Sequence, residues 1–544
     1  VVNNITLIKY FYSSWFKFYY GHNLKMEQLT QLSKYNLFYF VCGIWIIGLS
    51  FRLFYFDETI PLILDGLSFF TYSADISGIG KLPETYDIAK PGWSYFLAVF
   101  FSIFNFEHTM QYMQLQKLLA ISISSLTVFP LFFLIKKFSQ TKYALLGVLI
   151  FSVEPRIIQN SLSGNAESIF ILLLVSSILL FLNKNNKIIY LSFLLTGIAA
   201  IIRPEGLFLL IGISISYFIK FRKSRFVIPK YILGLLIFFL ILTPVVLHKE
   251  QEGMYDTVFQ RAYSILFDNI DYDEKSRETI NIQFQKEDLF TKNNNTVIST
   301  MEYFSKYLVW VLIPLFILVA PIGFIIFFKK FNVDKLTIII LSIVMAIPAV
   351  YAYTFPLLEI KYLYFLFPMF CIFATFSFKW FIEKFENKNF IFIICFILII
   401  STSILFTDYK FEYEKEHELA VISNYIEKNT KIINSHYPES RFLLGSGFEP
   451  KWNDYQIFAK NTNGDLGNIN SIDTKNPNGY NNLELFLAKT GKDDITHLVL
   501  DGKNTRPEFL NDIFYNEDKY TYLTKIYDSK DQNFEYHVKI FQVN

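Results

Sequence analysis

Long apolar runs separated by short polar breaks fill most of residues 37–407. They fall near 37–56, 115–135, 143–155, 166–182, 188–202, 206–219, 226–247, 307–328, 336–353, 362–378 and 389–407. The runs predict a polytopic α-helical membrane protein with about eleven transmembrane helices. Several are shorter than about 17 residues, the usual lower bound for a span, and suit a bundle whose neighbours cover the helix ends. Composition agrees. Hydrophobic residues make up 53% of the 544-residue chain and charged residues only 18%, against about 25% charged in a typical soluble protein. Mean hydropathy is +0.33. A soluble globule has no interior large enough for 61 Phe and 35 Tyr alongside the aliphatic residues.

Charge supplies a direction. If the spans alternate, loops 136–142, 183–187, 220–230, 329–335 and 379–388 share one side and hold 16 Lys and Arg, whereas loops 57–90, 154–165, 203–205 and 354–361 hold 5. Lys and Arg accumulate on the cytoplasmic side. Residues 1–36 are therefore expected to be cytoplasmic and the C-terminus extracytoplasmic. The chain begins with Val, Met26 directly precedes the first apolar run, and no small-residue cleavage site follows that run. Residues 1–25 therefore carry little weight, and no cleavable signal peptide is expected. The net charge of +2 gives no reason to expect a nucleic-acid partner.

Three regions stand outside the predicted spans. The outer loop 57–114 opens with an acidic stretch, and its apolar segment Pro91–Phe104 is too short to span. With Trp93 and Tyr95 it reads as a helix lying in the outer interface. A second outer loop covers 249–306. The polar tail, 408–544, reads as an extracytoplasmic α/β domain with a helix at Glu418–Lys428 and strands at His497–Leu500 and Tyr536–Val543.

Ionisable residues at the ends of membrane helices are costly and are candidates for function. Asp65 lies between apolar neighbours in the first outer loop. A partly desolvated carboxylate there can act as a base, although an ordinary loop acid or helix cap has the same local sequence. Asp57 and Glu58, directly after the first span, form a rival pair, and Asp75, Glu154 and Glu167 are secondary candidates. Metal chemistry has weaker support. Cys42, Cys371 and Cys395 all lie inside apolar runs, and His22, His108, His248, His417, His436, His497 and His537 show no paired ligand spacing. A divalent ion such as Mg²⁺ or Mn²⁺ held by carboxylates stays open. Asn294-Asn-Thr296 is a glycosylation sequon in the second outer loop.

The order of motifs resembles the GT-C glycosyltransferases that use lipid-phosphate sugars, namely the protein O-mannosyltransferases and aminoarabinose-type transferases. Asp65, Phe69 and Ser73 are followed by Gly80, Pro83 and Lys90-Pro91-Gly92-Trp93. Asn165-Ala-Glu167, the turn Arg203-Pro-Glu-Gly206 and Glu359-Ile-Lys361-Tyr…Pro368 resemble further family elements. The resemblance covers about 37–380 and implies a GT-C-like catalytic domain at 37–407. It implies a polyprenyl-phosphate-linked sugar as donor, an acceptor hydroxyl on protein, glycan or lipid, Asp65 as the base, and Lys90, Arg203 and Lys361 converging on the donor phosphate. Inversion at the sugar carbon by direct displacement follows from the same resemblance, since no second carboxylate is placed as a nucleophile. Two positions depart from the family pattern. Lys361 stands where Arg is commoner, which removes two-point phosphate contact, and Ala89 stands where some relatives carry a metal-binding Glu.

Two other functions have less support in the sequence. Oligosaccharyltransferase-like transfer is disfavoured by the lack of a Trp-Trp-Asp-type motif in the tail. A transporter or flippase would show repeat symmetry and paired broken helices, and neither is evident.

Overall fold

In the computed structural model the described residues are 34–251 and 296–410, except 59, 61, 63, 83–87, 89, 105, 107–108, 184, 224–225, 330–331 and 355–358. In the tail they are 418, 421–422, 425, 455–459, 473–474, 481–490, 495–501 and 508–544. The sequon Asn294, the Glu418–Lys428 helix in most of its length and residues 252–295 of the second outer loop lie outside them.

The apolar runs form helices: α1 (Lys34–Phe54), α2 (Leu64–Ile79), α3 (Pro91–Ile103), α4 (Thr109–Leu126), α5 (Val128–Lys136), α6 (Thr141–Val153), α7 (Pro155–Leu162), α8 (Glu167–Phe181), α9 (Asn186–Ile202), α10 (Glu205–Phe221), α11 (Val227–Gln251), α12 (Thr296–Val311), α13 (Pro314–Phe328), α14 (Val333–Thr354), a 3-10 helix (Ile360–Leu366), α15 (Phe367–Ile382) and α16 (Lys388–Lys410). By length and composition five stretches among the described residues can cross a membrane: Met110–Lys136, Val227–Lys249, Val333–Thr354, Ile360–Ile382 and Lys388–Thr407. Shorter apolar helices include Phe38–Phe54, Thr141–Val153, Glu167–Phe181 and Lys187–Ile202.

Three local expectations change. The run 307–328, read as one span, is two helices that meet at 114°. Pro314 opens α13 without an N–H to donate, and Ile313 before it is extended (φ −75, ψ 153), as steric contact with a proline ring demands. The stretch around Asp65, read as loop, is the helix α2, and α7 occupies part of the expected loop 154–165. The first mixes apolar and polar residues with no helical period, and the second is only eight residues long, so the pattern of the chain hides both.

The chain divides into two units. The first comprises 1–54, 122–158 and 167–403, and the second 55–121, 159–166 and 404–544. The first is a helical bundle in which small and hydroxyl side chains allow close approach, as suits helices packed without a hydrophobic driving force between them. Ser177, Ser192 and Thr196 bond to one another between α8 and α9. A Cβ at Gly323 would collide with Phe373 O across α13 and α15. Arg52 is fully buried and donates to Gly48 O, Ser152 O and Ser124 Oγ, which caps the C-terminal end of α6.

The second unit contains α2, α3 and the tail. The tail holds β1 (Tyr455–Ala459), β2 (Asp473–Thr474), α17 (Leu483–Thr490), β3 (Ile495–Asp501), α18 (Glu508–Tyr515), β4 (Leu523–Asp528) and β5 (Val538–Val543). The strand order is β2-β1-β3-β5-β4, with every pairing antiparallel. Alternation along the strands sends Leu498, Leu500 and Phe541 to one face, under Phe486, Leu510 and Ile513. It sends Val499, Val538 and Ile540 to the other, against Ile422 and Tyr527. The stretches read as strands lie within β3 and at β5. The antiparallel pairing, with helices set on the sheet's faces, differs from the crossover layout of an α/β fold.

Candidate functional site

In the second unit the first turn of α2 carries Asp65, where the amide end of a helix favours a carboxylate. Lys90 caps the start of α3, and Pro91 follows at a helical position that needs no N–H donor. Asp65 Oδ2 lies 3.7 Å from Lys90 Nζ, with side-chain exposures of 40% and 13%. An ion pair this exposed contributes about 0–1 kcal/mol to stability, so its interest is chemical. Asp65, Phe69 and Ser73 recur every four residues and so share one face of α2. Phe69 and Ser73 are buried, and Ser73 and Ser94 both donate to Phe69 O, which joins α2 to α3.

The N-terminal end of α2 also rests on the turn 163–166. A Cβ at Gly66 would stand 2.6 Å from Ser163 O, and Gly164 has φ +68, so both positions call for glycine. Asp57 and Asp75 are half-buried and Glu58 is exposed, all in this unit.

A different cluster occupies the first unit. Arg203 follows α9 with extended backbone. Its Nη2 and Nε bond to Glu205 Oε1 and Oε2 at 2.7 and 3.1 Å, and Nη1 pairs with Glu167 Oε1. The guanidinium, 1% exposed, also lies 5.1 Å from the Phe365 ring. Glu167 and Glu205 each start a helix, which further suits their charge. Lys361 pairs with Glu359. Glu154 is fully buried at the end of α6. The charges of Arg156, Glu167, Glu154 and Lys361 act on the Tyr364 hydroxyl, and those of Lys361, Glu359, Arg203 and Glu205 act on that of Tyr362. Glu154, Glu167, Arg203 and Lys361 thus gather around one 3-10 helix.

The fork of Arg203, expected to meet a phosphate, is held in this structure by two carboxylates and is buried. Arg156, Tyr362 and Tyr364 escaped the sequence reading. Arg156 follows Glu154-Pro155 at a polar break between apolar runs, a signal that could have found it. Gln116 and Lys117, a polar pair inside the run 115–135, were open to the same argument. Among the described residues no three His, Cys, Asp or Glu side chains gather as a metal site; Ala89 lies outside those residues.

Residues 89–248 match the model of the dolichyl-phosphate-mannose-protein mannosyltransferase family, a GT-C glycosyltransferase family. The match contains Lys90, Glu154, Glu167 and Arg203, and the resemblance to GT-C glycosyltransferases holds over this segment. No curated protein matches the chain. Solved structures similar to it include the Archaeoglobus fulgidus oligosaccharyltransferase in complex with Zn and sulfate, at 12% identity and TM-score 0.49, over 72% of this chain and 55% of that one. They also include ArnT from Cupriavidus metallidurans bound to undecaprenyl phosphate, at 11% identity and TM-score 0.43, over 75% of this chain and 68% of that one. The chain thus spans little more than half the length of the oligosaccharyltransferase.

Proposed function

We propose that the protein is an integral membrane glycosyltransferase. It moves a sugar from a polyprenyl-phosphate donor to an acceptor hydroxyl at the outer membrane face, with inversion. The observation that carries this reading is the pairing, at 3.7 Å, of Asp65 with Lys90, a residue at the start of the segment 89–248 that matches a glycosyltransferase family. Asp65 takes the proton of the acceptor hydroxyl, the acceptor oxygen bonds to the anomeric carbon, and the bond from that carbon to the phosphate oxygen breaks. The departing polyprenyl phosphate gains one negative charge as Asp65 loses its own. Lys90, released from its carboxylate partner, is then available to the phosphate. Phosphate leaves readily, so no strong general acid is required at that end.

Lys361, half-exposed beside Glu359, is the cation of its cluster most open to an anion. Arg203 serves as the clamp that holds Glu167 and Glu205. The proposed topology keeps eleven spans, a cytoplasmic N-terminus, α3 in the outer interface and the tail outside. The test is incubation of the purified protein in lipid with a panel of polyprenyl-phosphate sugars, comparing wild type with Asp65→Asn. Sugar transfer should fall by about 10²–10⁴-fold in the variant, the usual contribution of a positioned base. Transfer at the wild-type rate removes Asp65 from the mechanism, and solute flux without a glycosyl product would mark a transporter.

A further inference from the structure

Asp65 and Lys90 begin two different helices, and a single backbone oxygen ties those beginnings together. Gly164 O accepts from Gln116 Nε2 at 2.9 Å and from Trp93 Nε1, three residues after Lys90, at 2.9 Å. The same Gln116 nitrogen donates to Gly66 O, the residue after Asp65, at 2.8 Å. Gln116 and Trp93 are fully buried. Both groups facing the Gln116 nitrogen are carbonyls, which only accept, so the orientation of the amide is fixed by its partners.

The rest of this helix supports the placement. Gln114 donates to Glu58 O at 2.9 Å and Lys117 to Ile60 O at 2.5 Å. One helix therefore pins the chain on both sides of Asp65, at two carbonyls before it and one after it. Gln116 alone of the three also reaches the turn on which Trp93 rests.

We propose that Gln116 is a positioning residue that sets the Asp65 carboxylate against Lys90 by bridging Gly66 O and Gly164 O. The inference rests on the reading of Asp65 as the base. Its energetic logic is geometric: a shift of about 1 Å in a reacting group costs up to about 10²-fold in rate. Glutamine suits the task because its nitrogen carries two donors on a neutral group. Ionised glutamate only accepts, a protonated carboxyl has one donor for two carbonyls, and methionine donates nothing.

The test uses Gln116→Met and Gln116→Glu in the full chain in lipid. Turnover and KM are measured with the donor identified from the panel, and amide exchange is followed over 64–68, 90–97 and 167–181. Met and Glu should lower kcat by about 10–100-fold with KM within about threefold, and speed exchange at 64–68 and 90–97 but not at 167–181. Wild-type kcat and unchanged local exchange in Gln116→Met overturn the proposal. So does an equal loss in both variants accompanied by faster exchange everywhere, 167–181 included. The exchange measurement needs no turnover: if wild type transfers no sugar the enzymatic reading fails, while the exchange pattern still judges the bridge.

Discussion

Arg203 and Glu205, two residues apart across Pro204, form a two-point ion pair in which both carboxylate oxygens are used. Glu167 takes a third contact from the same guanidinium. Removing one member of a buried charge group leaves the others uncompensated, at a cost of about 3–5 kcal/mol. Arg203→Gln should therefore lower the thermal unfolding midpoint by several degrees and reduce the amount of folded protein. Arg203→Lys keeps the charge but loses the fork, and should fall between wild type and Arg203→Gln. Unaltered unfolding with only a raised donor KM in Arg203→Gln would return the residue to a phosphate-binding role.

Lys90 offers the converse case. Its pairing with Asp65 is partly exposed and adds little to stability. Lys90→Gln should leave thermal unfolding within about 1 kcal/mol of wild type while lowering kcat by about 10²–10³-fold, the range seen when one donor to a developing negative charge is lost. Equal losses in stability and turnover would make Lys90 a structural residue.

The membrane character of the chain was legible because apolar runs declare themselves through length and composition alone. The 114° break before Pro314 was not read, although proline in that position carried the signal. The helix bearing Asp65 was hidden because its first turn mixes Asp and Gly with large apolar residues in no clean period. At the site, the order of motifs singled out Asp65, Phe69 and Ser73, but their common face follows only once the stretch is known to be a helix. That order did not give the pairing of Arg203 with Glu167, 36 positions away in the chain. Nor did it give the Gln116 bridge, which depends on two backbone carbonyls that no side-chain pattern reports.

Gly66 gives a direct check on how closely the Asp65 helix must approach its turn. A Cβ there meets the backbone oxygen Ser163 O at 2.6 Å and Asn165 Oδ1 at 3.3 Å. Backbone cannot swing aside as a flexible side chain does, so α2 or the turn must move. Gly66→Ala should cost about 1–3 kcal/mol, as overpacking does, and should lower kcat along with it. Gly78, where a Cβ meets nothing within 4 Å, is the matched control: Gly78→Ala should leave unfolding and turnover at wild-type levels. Wild-type turnover in Gly66→Ala would show that the base tolerates the displacement.

The sheet in the tail carries an acid-sensitive pair of carboxylates. Burial works against the charged form of Asp528, but the Lys530 N–H, His537 and Lys525 outweigh it and hold the carboxyl below its ordinary range. Burial likewise opposes the charge on Glu517, and its bonds to Lys525 and Lys539 prevail. A carboxyl with a depressed native pKa binds protons more readily when unfolded, so stability rises with pH through this range. The contribution is complete above the unfolded values, about 3.9 for Asp and 4.3 for Glu, and is lost as pH falls through the lower native values. Burial also holds His537 below its usual range despite Asp528. A depressed histidine binds fewer protons folded than unfolded, so its contribution has the same sign: it is complete above the unfolded value, about 6.5, and is lost as pH falls through the lower native value. Amide exchange over 523–528 and 538–543 in the full chain should therefore be slow and level above about pH 7, after correction for the intrinsic pH dependence of exchange. Protection should weaken as pH falls below about 6.5, first through His537 and then, below about pH 5, through the two carboxylates. Asp528→Asn should flatten that acid dependence at these strands without altering exchange in α8. A pH profile identical to wild type in Asp528→Asn would show that the Asp528 contacts contribute nothing to holding β4 and β5 together.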